Sequence, residues 1–90
     1  MSTQFRRNPE IRLTALEGEG VVLHLGARRY FTVTATGLTL LEALASPRTF
    51  DELVDAILTE YNVSREKAVA STRKFLDMCR DAALITEEPV

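Results

Sequence analysis

Hydrophobic and polar residues alternate along three short segments near the start of the chain: residues 11–15, 21–25 and 29–33. A period of two residues is typical of strands that bury one face. The segments between them, residues 17–20 and 26–28, are short and contain glycine. Such connections favour tight chain reversals, so the pattern predicts an antiparallel three-stranded meander.

From residue 34 onward the hydrophobic period lengthens to that of a helix. Either Thr34 or Thr36 is a suitable N-cap for a first helix. Thr49 and Glu52 have the spacing of a capping box, in which each side chain satisfies an unpaired backbone N–H at the start of a second helix. Ser64 is a suitable N-cap for a third helix. The predicted fold class is therefore α+β, with three strands followed by three helices.

The chain has 90 residues, of which 46% are hydrophobic, and this suffices for one small core. Residues 1–10 are polar and predict a flexible N-terminal arm. The folded domain is expected to cover residues 11–85, and residues 86–90 are expected to form a C-terminal tail.

The charge balance helps to narrow the class of partner. Eleven Lys and Arg residues face 13 Asp and Glu residues, giving a net charge of −2. Domains dedicated to nucleic acid usually carry a basic excess, so the balance argues against that class. No apolar stretch has the length of a membrane span, and no signal peptide is evident, so we expect a cytoplasmic protein without membrane attachment.

The residues that usually carry chemistry are scarce. Cys79 and His24 are the only cysteine and histidine, too few for a structural zinc site. His24 lies in an apolar strand with no nearby carboxylate in sequence to orient it as a base, which favours a structural role. No phosphate loop or dinucleotide fingerprint is present. We therefore expect a protein that is not an enzyme and uses neither a metal nor another cofactor.

The third predicted strand offers a possible binding edge. The last strand of a meander has unpaired N–H and C=O groups that can accept a strand from another chain. Residues 30–33 contain neither proline nor lysine, which would block such pairing. The alternative is that a helix covers this edge.

The third helix is mildly basic and carries a mixed stripe. At about 100° per residue, Val69, Arg73, Leu76 and Arg80 fall along one edge of its apolar face. Such a stripe could contact a partner segment in which an apolar side chain lies next to acidic residues. The alternative is an ordinary solvated flank.

Two segments resemble a known family. Residues 29–37, Arg-Tyr-Phe-Thr-Val-Thr-Ala-Thr-Gly, and residues 47–57, Pro-Arg-Thr-Phe-Asp-Glu-Leu-Val-Asp-Ala-Ile, are similar to the PqqD-like proteins, which recognise precursor peptides of ribosomally made natural products. Length and C-terminal sequence resemble the small discrete proteins of split lasso-peptide pathways. The chain departs from the family at residues 33–34, where relatives have Leu-Asn, and at Ala83, where they often have Gly.

The resemblance implies a winged helix-turn-helix-like fold that binds the leader region of a precursor peptide and has no catalytic role. The leader would add as a strand to the third strand and lie in the groove beside the third helix. It would then be presented to a separate leader peptidase and, by extension, to a macrocycle-forming cyclase. The residues implied in peptide binding are Tyr30, Phe31, Thr32, Val33, Val69, Thr72, Arg73, Leu76, Cys79 and Arg80, with Lys74 as a further cation.

Three alternatives remain open at this stage. One is a PqqD-type peptide chaperone of quinone cofactor biosynthesis, which would bind another precursor and a radical enzyme. Another is a winged-helix DNA-binding protein, since that class also combines three helices with a small sheet. The last is a structural dimer in which the third strand pairs with its own copy.

Overall fold

The computed structural model describes residues 3–89 and contains two antiparallel three-stranded sheets and three helices within that range. It confirms the predicted α+β class and is compatible with a winged helix-turn-helix-like description. In chain order the elements are β1 (Thr3–Arg7), β2 (Ile11–Leu16), β3 (Glu19–His24), β4 (Arg29–Thr34), α1 (Ala35–Ala43), β5 (Arg48–Thr49), α2 (Phe50–Glu60), α3 (Arg65–Asp81) and β6 (Ile85–Pro89).

The predicted meander is confirmed as the sheet β2-β3-β4. Its register places Val22 opposite both Leu13 and Phe31, and Leu23 opposite Tyr30. Val22 is fully buried, whereas the Leu23 and Tyr30 side chains on the other face are exposed. The alternation in sequence therefore marks one face that covers the core and one that faces solvent.

The second sheet, β5-β1-β6, was missed in the sequence. Residues 3–7 and 85–89, which fall mainly in the expected arm and tail, pair along their whole length from Thr3↔Pro89 to Arg7↔Ile85. Phe5 is the one buried residue of β1, so the segment lacks the alternation that predicts a strand. Backbone pairing between the two ends of the chain orders it instead. Residues 1, 2 and 90 of the expected arm and tail lie outside the described residues.

Side-chain caps begin all three helices, as the sequence predicts. Thr34, rather than Thr36, caps α1, because its Oγ1 accepts a hydrogen bond from Gly37 N at 3.2 Å. The Thr49–Glu52 capping box is present at α2, and Ser64 caps α3. The backbone N–H of Thr49, which donates to the Glu52 carboxylate at 2.9 Å, lowers the pKa of that carboxyl group.

The core lies where the helices pack against one another and against the inner face of the meander. Its largest fully enclosed side chains come from β3, from the three helices, from the C-cap of α1 and from the residue before β6: Val22, Leu40, Leu41, Leu44, Leu53, Val54, Thr72, Cys79 and Leu84. No helix within residues 3–89 is both long and apolar enough to cross a membrane.

The end of α3 is held by a left-handed turn. Ala83 has φ = 58°, and the backbone N–H of Leu84 donates to Cys79 O at 2.8 Å, the pattern of a Schellman C-cap. Asn8 ties this turn to the start of the meander, since its Nδ2 donates to Ala83 O at 2.8 Å. An alanine thus occupies the position where glycine would be unstrained.

Candidate functional site

An open groove of about 450 Å³ lies between β4 and α3, with part of α1 as its floor. Residues 32–34 form the β4 side of the groove. Thr36, Gly37 and Leu40 contribute from α1. The α3 side consists of Ser71, Lys74, Phe75 and Met78.

The β4 strand presents a free backbone edge to this groove. It pairs with β3 on one side, and no other strand within residues 3–89 pairs with it. An edge strand carries a row of N–H and C=O groups that a further strand can satisfy. The expectation that the third strand of the meander is an edge strand is confirmed. Helix α3 lies on the far side of the groove from this edge and does not cover it.

The floor of the groove depends on a glycine. A Cβ atom placed on Gly37 would lie 2.7 Å from Phe75 Cε1 and 3.2 Å from Val33 Cβ, both closer than ordinary contact. The aromatic ring of α3 therefore packs directly on the backbone of α1. This close approach brings α3 next to β4 and makes the groove wall largely apolar.

Four groove residues of α3 follow helical spacing. Ser71, Lys74, Phe75 and Met78 are separated by three and four positions and so share one face. Met78 is exposed, and Phe75 is half-buried. Lys74 adds the one cationic side chain of the groove lining. This flank of α3 combines apolar surface with a single positive charge.

The stripe expected from the helical wheel lies on the opposite flank of α3. The Arg73 guanidinium stacks over the Phe50 ring of α2 at 5.2 Å from its centroid. Arg80 forms ion pairs with Asp77 and with Glu87 of β6. These two arginines therefore face α2 and the second sheet, which corrects their expected placement beside β4.

The other α3 residues expected to form peptide pockets lie in the core. Thr72 and Cys79 are fully buried, and Leu76 is 3% exposed. Val69 is partly buried and packs against the same cluster. These residues form the centre of the apolar face of α3, so the helix uses them to fold. Val69, Thr72, Leu76 and Cys79 therefore do not line the groove, whose α3 side is the flank from Ser71 to Met78.

Burial determines the properties of the two polar side chains in that cluster. Desolvation raises the pKa of the Cys79 thiol to about 12. Thr72 Oγ1 has no hydrogen-bond partner among the described residues, although its atom is fully enclosed. Neither group reaches the groove.

The four β4 residues divide between two faces. Thr32 and Val33 line the groove. Phe31 is half-buried on the inner face and packs against the core. Tyr30 is 74% exposed on the outer face. Of the β4 residues expected to bind peptide, Thr32 and Val33 therefore line the groove, whereas Tyr30 points to solvent outside it.

Sequence reasoning missed Gly37 as a groove residue, together with Phe75, Ser71 and Met78. The wheel shows an apolar face with two flanks, and it carries no information on which flank meets β4. A usable signal was present in Gly37, because a glycine inside the first turn of a helix often marks a close approach by another element.

His24 has a structural role in this fold. It is buried, and its Nδ1 accepts a hydrogen bond from Ala27 N at 3.1 Å within the β3–β4 turn. Its Nε2 lies 3.5 Å from Asn8 Nδ2, so the ring also contacts the residue that holds the C-cap of α3. The histidine thus stabilises the β3–β4 turn, which agrees with the structural role that the sequence favours.

A free strand edge beside an apolar groove is the arrangement by which small domains take up an extended peptide. The fold and the groove define a class of small α+β domains that present a free strand edge beside a largely apolar groove. The family model described as Coenzyme PQQ synthesis protein D (PqqD) matches residues 19–85, and the chain belongs to this family.

Two solved structures share the fold. One is described as TbiB1 in complex with the TbiA(beta) leader peptide, with 29% identity, a TM-score of 0.78, and coverage of 89% of this chain and 93% of the other. The other is a lasso peptide synthetase B1 complexed with the leader peptide, with 18% identity, a TM-score of 0.75, and coverage of 91% and 96%. A comparison with curated protein sequences gave no match.

Proposed function

We propose that this protein binds the leader segment of a ribosomally made precursor peptide of the lasso class, by strand addition to β4. The observation that carries the proposal is the free β4 edge facing an open groove beside α3. The similarity to TbiB1, a protein solved with a leader peptide, supports the same conclusion.

The groove suggests how affinity and selectivity would be divided. Backbone hydrogen bonds to β4 would hold an extended leader in place without regard to its sequence. Because side chains alternate along a strand, every second leader side chain would enter the groove against Val33, Phe75 and Met78. An acidic leader residue beside them would meet Lys74, which would favour one register over its neighbours.

The role that follows is non-catalytic delivery. Held as a strand, the leader would be rigid, while the core region beyond it would remain free for other proteins. We propose that the bound precursor is presented to a separate leader peptidase and to a macrocycle-forming cyclase of the same pathway. Such a division of labour needs no reactive residue in the groove, whose lining contains no acid, cysteine or histidine.

The test is a fluorescence-polarisation titration with labelled leader peptide from the adjacent precursor gene, with the core peptide and a short DNA duplex as controls. Saturable binding of the leader alone is the expected result. Binding of the duplex but not the leader would overturn the proposal in favour of a winged-helix DNA-binding protein. Binding of a quinone-cofactor precursor instead would favour the PqqD-type chaperone.

Two variants of Thr32 separate strand addition from other modes of binding. Thr32→Pro removes a backbone N–H and bends the edge, so leader binding should be lost while circular dichroism shows the helices intact. Thr32→Val keeps the backbone donor and should retain binding. Equal affinity of a folded Thr32→Pro protein and the wild type would exclude pairing at this edge.

A further inference from the structure

A second concave site lies at the opposite edge of the meander from the groove. It has a volume of about 780 Å³ and is bounded by the β1–β2 connection, by β2 and by the C-terminal end of α1. Its accessible apolar surface comes from Pro9 and Leu13, while Leu44 lies buried beneath it. Arg7 and Arg12 bring positive charge to it, and Glu42 is the one acidic residue of its lining.

The two arginines retain most of their hydrogen-bonding capacity. Arg7 donates from Nη1 to Leu41 O at 3.1 Å, and Arg12 donates from Nη1 to the carbonyl oxygens of Pro9 and Ile11 at 3.1 and 3.0 Å. A guanidinium has five N–H donors in a planar fork. None of the ion pairs among residues 3–89 includes either arginine. Carbonyl contacts position both groups, and neither has a carboxylate within ion-pair distance among the described residues.

This contrasts with Arg6, which also borders the cavity. Arg6 lies on the opposite face of β1 from Arg7 and pairs with Glu88 at 3.5 Å. Arg48, Arg65 and Arg80 likewise have carboxylate partners. The cavity therefore gathers two guanidinium groups whose free donors match the geometry of carboxylates.

The mixed lining selects among anionic partners. A nucleic acid presents evenly spaced phosphates, which Glu42 would repel, and the chain has a net charge of −2. A protein segment can place two carboxylates against Arg7 and Arg12, an apolar side chain against Pro9 and Leu13, and a donor against Glu42. Charge complementarity thus favours an acidic, partly apolar peptide segment.

The position of this site leaves the groove unobstructed. The groove uses β4 and the first half of α1, whereas the second site uses β2 and the end of α1. Strands β2 and β4 are the two outer strands of the meander, separated by β3. A segment bound at one site would not cover the other.

We infer that the cavity between β1, β2 and the end of α1 docks an acidic, partly apolar segment of a second protein, independently of the β4–α3 groove. A chain that binds a peptide on β4 would then bind another protein through a separate surface. This inference does not require that the groove binds a leader.

The test is an amide-resolved NMR titration of the full chain with a blocked Glu-Leu-Glu-Leu-Glu peptide as the acidic probe. Saturable shifts are expected at residues 6–13 and 41–45, and they should weaken as salt is raised. A Gln-Leu-Gln-Leu-Gln peptide and a short DNA duplex serve as controls and should not shift these amides.

Arg12→Gln is the diagnostic variant, since Arg12 contacts only local carbonyl oxygens. It should lower the affinity for the acidic probe about tenfold, the effect of a lost charge-assisted contact. Arg28→Gln removes the same charge from the exposed β3–β4 turn and should leave the affinity unchanged.

Any of three results would overturn the inference: shifts centred away from the cavity, equal shifts with the glutamine peptide, or equal affinity of Arg12→Gln and the wild type. Shifts of the same amides by the DNA duplex would assign the cavity to polyanions instead. The leader titration is a separate measurement, so failure at the groove and failure at the cavity can be distinguished.

Discussion

The Phe75 ring of α3 packs on the backbone of Gly37 in α1, so closely that an added methyl group would lie 2.7 Å from Phe75 Cε1. Val33 of β4 borders the same position at 3.2 Å. One missing side chain therefore determines the spacing of α1, α3 and β4, the three elements that form the groove.

Gly37→Ala should move the Phe75 ring toward the groove. Overpacking costs about 1–3 kcal/mol, while the higher helix propensity of alanine returns at most about 1 kcal/mol, so we expect a net loss of stability. Leader affinity should fall as well, because the displaced ring occupies peptide space. Chemical denaturation and leader titration measure the two effects.

The double variant Gly37→Ala/Phe75→Leu is the matched control for this clash. A smaller side chain at position 75 makes room for the methyl group, so the two substitutions should be less damaging together than the sum of their separate effects. If Gly37→Ala is more stable than the wild type, propensity alone governs the site and the contact does not limit groove width.

Substitution of two neighbouring cationic residues tests which flank of α3 contacts the peptide. Lys74 lines the groove, whereas Arg73 stacks on Phe50 at 5.2 Å. We expect Lys74→Ala to weaken leader binding about tenfold and to reduce its salt dependence. Arg73→Ala should leave both unchanged. The reverse order in the titrations would return the binding site to the flank expected from the helical wheel.

Ala83→Gly should stabilise the protein. Ala83 adopts φ = 58° in the C-cap of α3, a conformation that costs a residue with a Cβ about 1–2 kcal/mol. Glycine relieves this strain, and we expect the free energy of unfolding in urea to rise by about 1 kcal/mol. Ala82→Gly is the control, since Ala82 has φ = −91° and should lose stability on the same change.

Thr72→Val should also raise stability. Thr72 is fully buried, and its hydroxyl has no partner among the described residues, so folding removes it from water without compensation. Removing such a group is worth about 1 kcal/mol. Thr39→Val makes the same chemical change where the hydroxyl contacts Tyr61 Oη at 3.1 Å and should destabilise. A loss of stability in Thr72→Val would indicate that a water satisfies the hydroxyl.

Cys79 should resist alkylation in the native state. Burial raises its pKa to about 12, so the reactive thiolate is scarce below that pH, and the side chain is fully enclosed. Iodoacetamide at pH 8 should label the thiol only after addition of guanidinium. Because the thiol ionises more readily in the unfolded chain than in the fold, the free energy of unfolding should fall as the pH rises from the ordinary thiol pKa toward 12. Rapid native labelling at pH 8 would contradict this burial.

Much of the fold is readable from local patterns. The meander, the Thr49–Glu52 capping box and the cap at Ser64 each depend on residues close in sequence, and all were predicted, while the cap of α1 was narrowed to Thr34 or Thr36. The sheet β5-β1-β6 was not predicted, since its pairing joins residues 43–45 positions apart between β1 and β5 and 78–86 positions apart between β1 and β6, and it buries few side chains. Because neither β1 nor β6 buries alternate residues, neither strand has the hydrophobic alternation by which a strand is predicted from sequence.

The candidate site likewise has one part that local sequence predicts and one part that it does not. The sequence by itself predicted the strand edge from Tyr30 to Val33, because the last strand of a meander has only one neighbour within the meander, and it left open whether a helix covers that edge. Only the tertiary structure decided which flank of α3 faces that edge. An apolar helix face has two flanks of similar composition, and the contact between Gly37 and Phe75 turns α3 so that Ser71, Lys74 and Met78 meet the groove while Arg73 and Arg80 turn away.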